Sequence, residues 1–377
     1  MHPCLDTQSA LSYAASAQVG VLDDFGFLIA DFGFESILIS IRGYGALANT
    51  NIKYAVTEES FETIGSCWLN ARYPLNWNCV FVLPNWLKIW WHTFGAGSDL
   101  FLCAVREGEG LAGIAPLMVK GKKASLIGDT DVCDYLDFIV APEKGKPFFG
   151  ALLDHLSKKG ITHLNLGHLR PDSTVFTDLA DVARDRGWEV SRHREDVTLE
   201  LDLPTTWDEY LLMLNGKQRH ELKRKLRRLY EAGSISYRMV ENIKEARDVI
   251  GTFLTLFGQS REDKAIFMTP KMASFFNSLA HTMAEVNMLR LYILEVNKVP
   301  AAAAMCFDYN STIYLYNSGY DDRFRALGVG VLCKALSIKD SIQRGRKKYD
   351  FLKGDEAYKH RLGGKEVPLY RCQIQCE

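Results

Sequence analysis

Ser311-Thr-Ile-Tyr-Leu-Tyr-Asn-Ser-Gly-Tyr-Asp-Asp-Arg-Phe-Arg325-Ala-Leu-Gly328-Val-Gly330-Val-Leu-Cys-Lys-Ala-Leu-Ser-Ile-Lys-Asp-Ser341 is the stretch that decides how this chain folds. Its opening, Thr312 to Tyr316, is β-branched and aromatic, as a strand requires. A polar turn follows, and Arg325-Ala-Leu-Gly328-Val-Gly330 opens an apolar helix, Val331 to Gln343, with Gly345 placed to end it. Two glycines one residue apart at a helix start let the backbone approach a ligand closely, and the first-turn N–H groups have no partners inside the helix. Such an end attracts phosphate: the dipole contributes roughly 0.3–1 kcal/mol per favourable charge, about 2 where partly buried, and Arg325 adds a positive side chain. Alone, the loop also fits a surface turn whose glycines serve only a positive φ. The flanking strand and a second one, Lys348-Tyr-Asp-Phe-Leu352, make it part of a βαβ unit.

This arrangement resembles the pyrophosphate-binding core of the GNAT superfamily of N-acetyltransferases, whose motif reads Gln/Arg-x-x-Gly-x-Gly/Ala. The segment after the helix, Tyr349-Asp-Phe-Leu-Lys-Gly-Asp355-Glu-Ala-Tyr358-Lys359-His-Arg361, is similar to the C-terminal signature of the two-module FemAB-like and CelD-like acyltransferases of bacteria. The resemblance covers residues 60–375, roughly. It implies an α/β fold with mixed sheets: two tandem GNAT-like modules, each a mostly antiparallel central sheet flanked by helices.

With 377 residues and 47% hydrophobic content, the chain is long enough for one or two ordinary cores. A net charge of −1 argues against a whole-chain nucleic-acid or membrane-surface binder, and DNA is not an expected partner. Nine scattered cysteines without a C-x-x-C pair suggest reduced thiols in a cytoplasm, and Cys372-x-x-x-Cys376 is too isolated for a metal site. The first basic residue is Arg42, so the charged start of a signal peptide is missing, and no run of 18 uncharged apolar residues suggests a membrane span.

In chain order, residues 1–55 read as an N-terminal extension without a motif, poorly ordered where Asp23, Asp24, Asp31, Glu35 and several glycines interrupt the apolar piece Val21 to Ile41. A first module is expected over 56–203: a helix from Pro84, a hairpin turning at Glu107-Gly-Glu-Gly110, strands Ala124 to Ile127 and Tyr135 to Val140, a helix Phe148 to Lys159 and strand His163 to Gly167. Leu203-Pro204 marks the boundary, and 204–377 repeats the order with a hairpin turning at Asn297-Lys298. The first module's strand-to-helix connection, Ala141-Pro-Glu-Lys-Gly-Lys-Pro147, lacks G-x-G, so the cofactor is expected in the second module alone.

Between the modules, Gly216 to Gly233 holds seven basic residues, Arg224 and Arg228 among them, against Glu221 and Glu231. Leu222, Leu226 and Leu229 recur at helical spacing, leaving the other faces basic. These faces are either merely solvated or a landing surface for a polyanion or an acceptor substrate.

Amine acyl transfer requires a polarised thioester carbonyl, removal of a proton from an ammonium and protonation of the departing thiolate. In the GNAT pattern the strand before the phosphate loop holds the pantetheine arm, which implies Tyr316, Asn317, Ser318 and Gly319 here, with Arg325, Leu327, Gly328, Val329 and Gly330 at the pyrophosphate. The family's thiolate-protonating tyrosine corresponds to Tyr358. Asp355 and Glu356 follow the strand's C-terminal end, where open α/β sheets bind ligands, and are the candidates for the base. On a short helix Asp355 and Tyr358 would share a face and Glu356 point elsewhere, with Asp355 alternatively a helix cap and Lys359 holding charge on the substrate side. The resemblance thus implies a cytosolic N-acyltransferase using acyl-coenzyme A, acetyl-coenzyme A foremost, and no metal, on an amine of a sugar, peptide or cell-envelope precursor. The alternatives are transfer of an aminoacyl group from tRNA and a non-catalytic accessory role in polysaccharide production.

Overall fold

The computed structural model describes residues 27–31, 36–40, 54–128 and 131–376. The expected disorder of residues 1–55 falls mostly outside these. Within that stretch β1 (Phe27–Asp31) and β2 (Ser36–Ser40) pair antiparallel.

From Lys53 onward the chain forms one compact unit. Its first half runs β3 (Tyr54–Glu58), α1 (Phe61–Leu69), α2 (Pro84–Phe94), β4 (Asp99–Glu107), β5 (Gly110–Lys120), β6 (Lys123–Leu126), β7 (Ile139–Val140), α3 (Gly145–Lys158), β8 (His163–Leu169), α4 (Ala180–Asp185) and β9 (Glu189–Asp202). The second half runs α5 (Trp207–Met213), α6 (Gly216–Glu231), β10 (Ile235–Val240), α7 (Ile243–Gln259), α8 (Glu262–Phe267), α9 (Pro270–Glu285), β11 (Leu289–Val296), β12 (Val299–Tyr309), β13 (Thr312–Tyr320), α10 (Val329–Gln343), β14 (Lys348–Lys353), α11 (Ala357–Arg361) and β15 (Lys365–Gln375). Local chemistry accounts for the ends: Ser60 and Thr63 form a capping box on α1, and Pro84 occupies the first turn of α2. Asn297 and Lys298, with φ of 51° and 66°, make the tight turn between β11 and β12.

The strands from β3 onward build a single sheet in the order β10-β11-β12-β13-β14-β9-β15-β8-β6-β5-β4-β3, with β7 added to β5. Two pairs in it are parallel, β6 with β8 and β13 with β14, each joined through a helix, α3 or α10. The duplicated order expected from the two hairpins is therefore present, and most other pairings are antiparallel. The chain boundary at Leu203 is not a boundary of the sheet. Strand β9, which ends the first half, lies between β14 and β15, and β15, which ends the second half, lies between β9 and β8.

On β13, Tyr314 and Tyr316 join one core while Ile313 and Leu315 join the other. Trp86 of α2 packs edge-on against Phe307 and Tyr316 at 5.4 and 5.2 Å, so first-half aromatics fill the core above second-half strands. Pairs of this geometry contribute about 0.5–1.5 kcal/mol beyond their area.

The expected strand Tyr135 to Val140 shortens to Ile139–Val140. The preceding residues spend their polar groups on tertiary partners: the Tyr135 hydroxyl donates to the Asp350 carboxylate at 2.8 Å, and Asp137 accepts from the Ser173 and Thr174 hydroxyls and the Phe138 N–H.

Candidate functional site

β13 and β14 pair at three positions, Thr312 with Lys348, Ile313 with Tyr349 and Tyr314 with Asp350, and then diverge. Two local irregularities lie at the divergence. Against β12, Met305 faces Asn317 and Cys306 faces Leu315, which makes Tyr316 the extra residue of a bulge. On β14, Leu352 has φ 62°, a left-handed conformation that costs a non-glycine residue about 1–3 kcal/mol. Its N–H donates to Asp350 Oδ1 and its carbonyl accepts from Lys359 Nζ, both at 2.8 Å, which hold it there.

The divergence opens a cleft of about 480 Å³ that brings together Tyr316, Asn317, Ser318, Arg325, Gly328, Val329 and Gly330 with Glu356, Tyr358 and Lys359. Gly328 has φ 72° and caps α10, its N–H bonded to the Arg325 carbonyl at 2.9 Å. A Cβ at Gly330 would stand 2.9 Å from Tyr320 Cδ1, so a side chain there displaces the Tyr320 ring and fills the space in front of the helix start. Lys225 of α6 stands beside the loop, its Nζ 3.8 Å from where a Gly328 Cβ would be.

Six basic side chains against three acidic ones line the cleft. Two of the bases were not legible as site residues in the sequence. Lys334, on α10, donates from Nζ to the Gly330 carbonyl at 3.0 Å and lies 4.5 Å over the Tyr358 ring. Lys264, on α8, donates to the Ser318 carbonyl at 2.5 Å and lies over Phe257. Burial lowers both ammonium groups to about 8. Among the described residues neither has a carboxylate within ion-pair distance.

A carboxylate from the first half completes the cleft. Asp134 sits on the segment between β6 and β7, and burial pushes its carboxyl up to about 6 against the opposing pull of Lys353 and Lys359 and an N–H from Lys353. Burial also raises the Tyr358 phenol well above its usual range, so it stays protonated. The cleft thus brings together a protonated phenol, a carboxyl raised to about 6 and lysines without carboxylate partners.

Other expected site residues lie elsewhere. Asp355 is outside the cleft, hydrogen-bonded to His360, and Glu356 faces the cleft instead. The helical phase that paired Asp355 with Tyr358 does not apply, because α11 begins at Ala357 and extended Glu356 is its cap; Asp355 is therefore not the cap either. Asp355, His360 and Glu366 place one ligand atom each within 4.8 Å, a surface trio that the Asp355–His360 bond accounts for without an ion. Gly319 lies against α7: a Cβ there would stand 2.3–2.4 Å from the Leu256 and Phe257 backbone, so this glycine serves strand-on-helix packing. Leu327 packs against the core below. Arg224 is held by Glu221 at 2.8 Å, and neither Arg224 nor Arg228 lines the cleft.

Lys359 is 2% exposed, and Nζ donates to the carbonyls of Leu352, Lys353 and Gly354 at 2.6–3.0 Å and pairs with Glu356 at 2.8 Å. Those partners use the ammonium fully, which makes Lys359 the clamp of the β14 end. Lys359→Met is expected to cost about 3 kcal/mol or more, since buried carbonyls lose their donor. An unfolding free energy from denaturant titration within about 1 kcal/mol of the parent's would instead leave the ammonium for a ligand.

Residues 216–360 match the family described as an acetyltransferase (GNAT) domain. The second half of the chain thus carries a GNAT-type acetyltransferase domain. The chain's fold is similar to that of FemX, with 13% identity, a TM-score of 0.58, and 84% of this chain and 96% of that one covered. A conserved protein of unknown function from Bacteroides thetaiotaomicron shares it at 12% identity and a TM-score of 0.52, over 86% and 100% of the two chains. A tandem GNAT protein from the clavulanic acid biosynthesis pathway aligns at 12% identity over 85% and 98%, with a TM-score of 0.44. No curated protein matches the sequence. Among the described residues, no helix is long and apolar enough to cross a membrane.

Proposed function

We propose that the protein moves an acyl group from acyl-coenzyme A, acetyl-coenzyme A foremost, to an amine on a sugar, peptide or cell-envelope precursor. The observation that carries this reading is a pair of lysines without carboxylate partners, buried Lys334 and half-buried Lys264, beside the Gly328/Gly330 helix start. Buried cations held apart from carboxylates are costly unless an anion arrives to pair with them. The α10 start with Arg325 and Lys225 suits the pyrophosphate, and the diverging backbone from Tyr316 to Ser318 suits the pantetheine arm and thioester. Asp134 takes a proton from the acceptor ammonium. The amine nitrogen then bonds to the thioester carbon, the carbon–sulfur bond breaks, the Tyr358 hydroxyl protonates the thiolate, and the proton that the new amide nitrogen sheds restores the phenol.

Thermal unfolding with acetyl-, succinyl- and long-chain acyl-coenzyme A tests the reading, since a ligand at 100 times its Kd adds about 2.7 kcal/mol. A stabilising acyl-coenzyme A that is consumed once amines are added supports transfer. If no thioester stabilises the protein, the reading fails.

The exposed basic faces of α6 beside the loop favour a second reading, an aminoacyl group delivered on tRNA. Lys225→Ala is expected to weaken coenzyme A binding about five- to tenfold, as removal of one partly buried phosphate contact does, while Arg224→Glu and Arg228→Glu leave it near parental. Calorimetry at two salt concentrations reads the difference. Equal small effects at all three positions would return α6 to a solvated face.

A further inference from the structure

A second cavity, of about 830 Å³, lies apart from the acyl cleft. It occupies the corresponding place in the first half of the chain. The unit β6-α3-β8 repeats β13-α10-β14, including the parallel strand pair, and this cavity is lined by the segment entering α3 and the segment leaving β8. Thr312, Tyr314, Lys348 and Asp350 of the second half form its remaining wall.

Its electrostatics are the reverse of those in the acyl cleft. Six acidic side chains against three basic ones line it. Two of the bases are already committed, because Arg170 and Lys348 both bind Glu200, the lysine at 2.6 Å. The helix start that would receive a phosphate is also filled. The Asp178 carboxylate lies 2.2–2.6 Å from where a Gly145 Cβ would stand, so the chain supplies its own anion there. At the exposed side stand Glu143, Asp172, which also accepts from Arg170 Nε at 3.2 Å, Lys146 and the Asn76 and Asn78 amides.

A separate observation points to a ligand. The Tyr314 side chain is 5% exposed and lines this cavity, yet among the described residues its hydroxyl makes no hydrogen bond. The ring is buried while the hydroxyl itself opens on the cavity, where a ligand can reach it; the neighbouring phenols are instead satisfied within the protein, Tyr135 donating to Asp350 and Tyr316 to the Val132 carbonyl at 3.1 Å. A volume of this size matches a small organic molecule.

We propose that this cavity is a second ligand site, for a cationic amine that also carries hydroxyl groups. The carboxylates at the open side attract the ammonium, and the Tyr314 hydroxyl and the amides bind the hydroxyls. The proposal stands whether or not the acyl cleft transfers acyl groups, because it rests on different residues.

Glucosamine is a suitable probe, with glucose as its neutral counterpart and coenzyme A as the control for the other cleft. Calorimetry on the full chain is expected to show glucosamine binding at about 1 mM or tighter, with glucose at least about tenfold weaker. The double variant Glu143→Gln/Asp172→Asn, both at exposed positions, is expected to weaken glucosamine about tenfold, and Tyr314→Phe about fivefold, with coenzyme A affinity unchanged in each. Three outcomes overturn the proposal: no glucosamine binding at about 1 mM, glucose binding as tightly as glucosamine, or glucosamine binding that survives these substitutions but is lost in Gly330→Asp. The last would place the amine in the acyl cleft.

Discussion

Gly330→Asp is expected to abolish measurable coenzyme A binding while the protein stays folded. A side chain at this position meets the edge of the Tyr320 ring at 2.9 Å, and the partly exposed ring has room to turn. A carboxylate in the first turn of α10 suits the helix dipole by about 0.3–1 kcal/mol, so the fold has no reason to reject it. The first module already holds this arrangement, with the Asp178 carboxylate against the start of α3. What the substitution removes is the room for phosphate, replaced by a like charge. A loss of about 100-fold or more, about 2.8 kcal/mol, is expected in calorimetry, beside an unfolding temperature near the parent's. Gly330→Ala separates the two contributions, since it introduces the steric contact without the charge. Coenzyme A binding unchanged in Gly330→Asp would remove the site from this loop.

The second module was legible because its signals are local. Strand, glycine pair and apolar helix succeed one another within thirty-odd residues, and the hairpin turn at Asn297-Lys298 is where alternation and turn chemistry put it. What stayed hidden is what the sheet assembles from distant segments. β15 was not foreseen, and Pro368 within it argues against a central strand. The register resolves this: β15 pairs with β9 throughout but with β8 only from Tyr370 onward, so Pro368 sits where the strand has one neighbour. Lys334 left a trace, a lone lysine inside the apolar run Val331 to Leu336, which helical phase turns toward the cleft. Lys264 left none, because an exposed-looking Glu-Asp-Lys on a short helix reads as surface. The error at Asp355 came from extending helical spacing one residue past the helix start.

Asp134 left a faint signal too, three aspartates in the otherwise apolar Asp131 to Phe138, and its substitution is expected to have the largest effect on rate. Burial is the main cause of its raised carboxyl pKa, about 6 against an ordinary value of 3.8, with nearby lysines only partly offsetting it. A carboxyl whose folded pKa lies above its unfolded one destabilises the fold as it ionises, so stability is lost as pH rises from about 4 to 6. Asp134→Asn removes that ionisation and keeps the shape. Its stability at pH 7 should therefore equal or exceed the parent's. If Asp134 is the base, kcat should nonetheless fall about 10²-fold or more, and the parent's kcat/KM should rise with pH through about 6 and then level, a limb the variant lacks. A residue kept for packing alone would show the reverse, a loss of stability with the acid limb intact. Tyr358→Phe in the same assay should lower kcat without moving that limb, because its phenol stays protonated across the range. Near-parental kcat in Asp134→Asn with an unshifted pH profile would leave the transfer to positioning and to the acceptor's own ionisation.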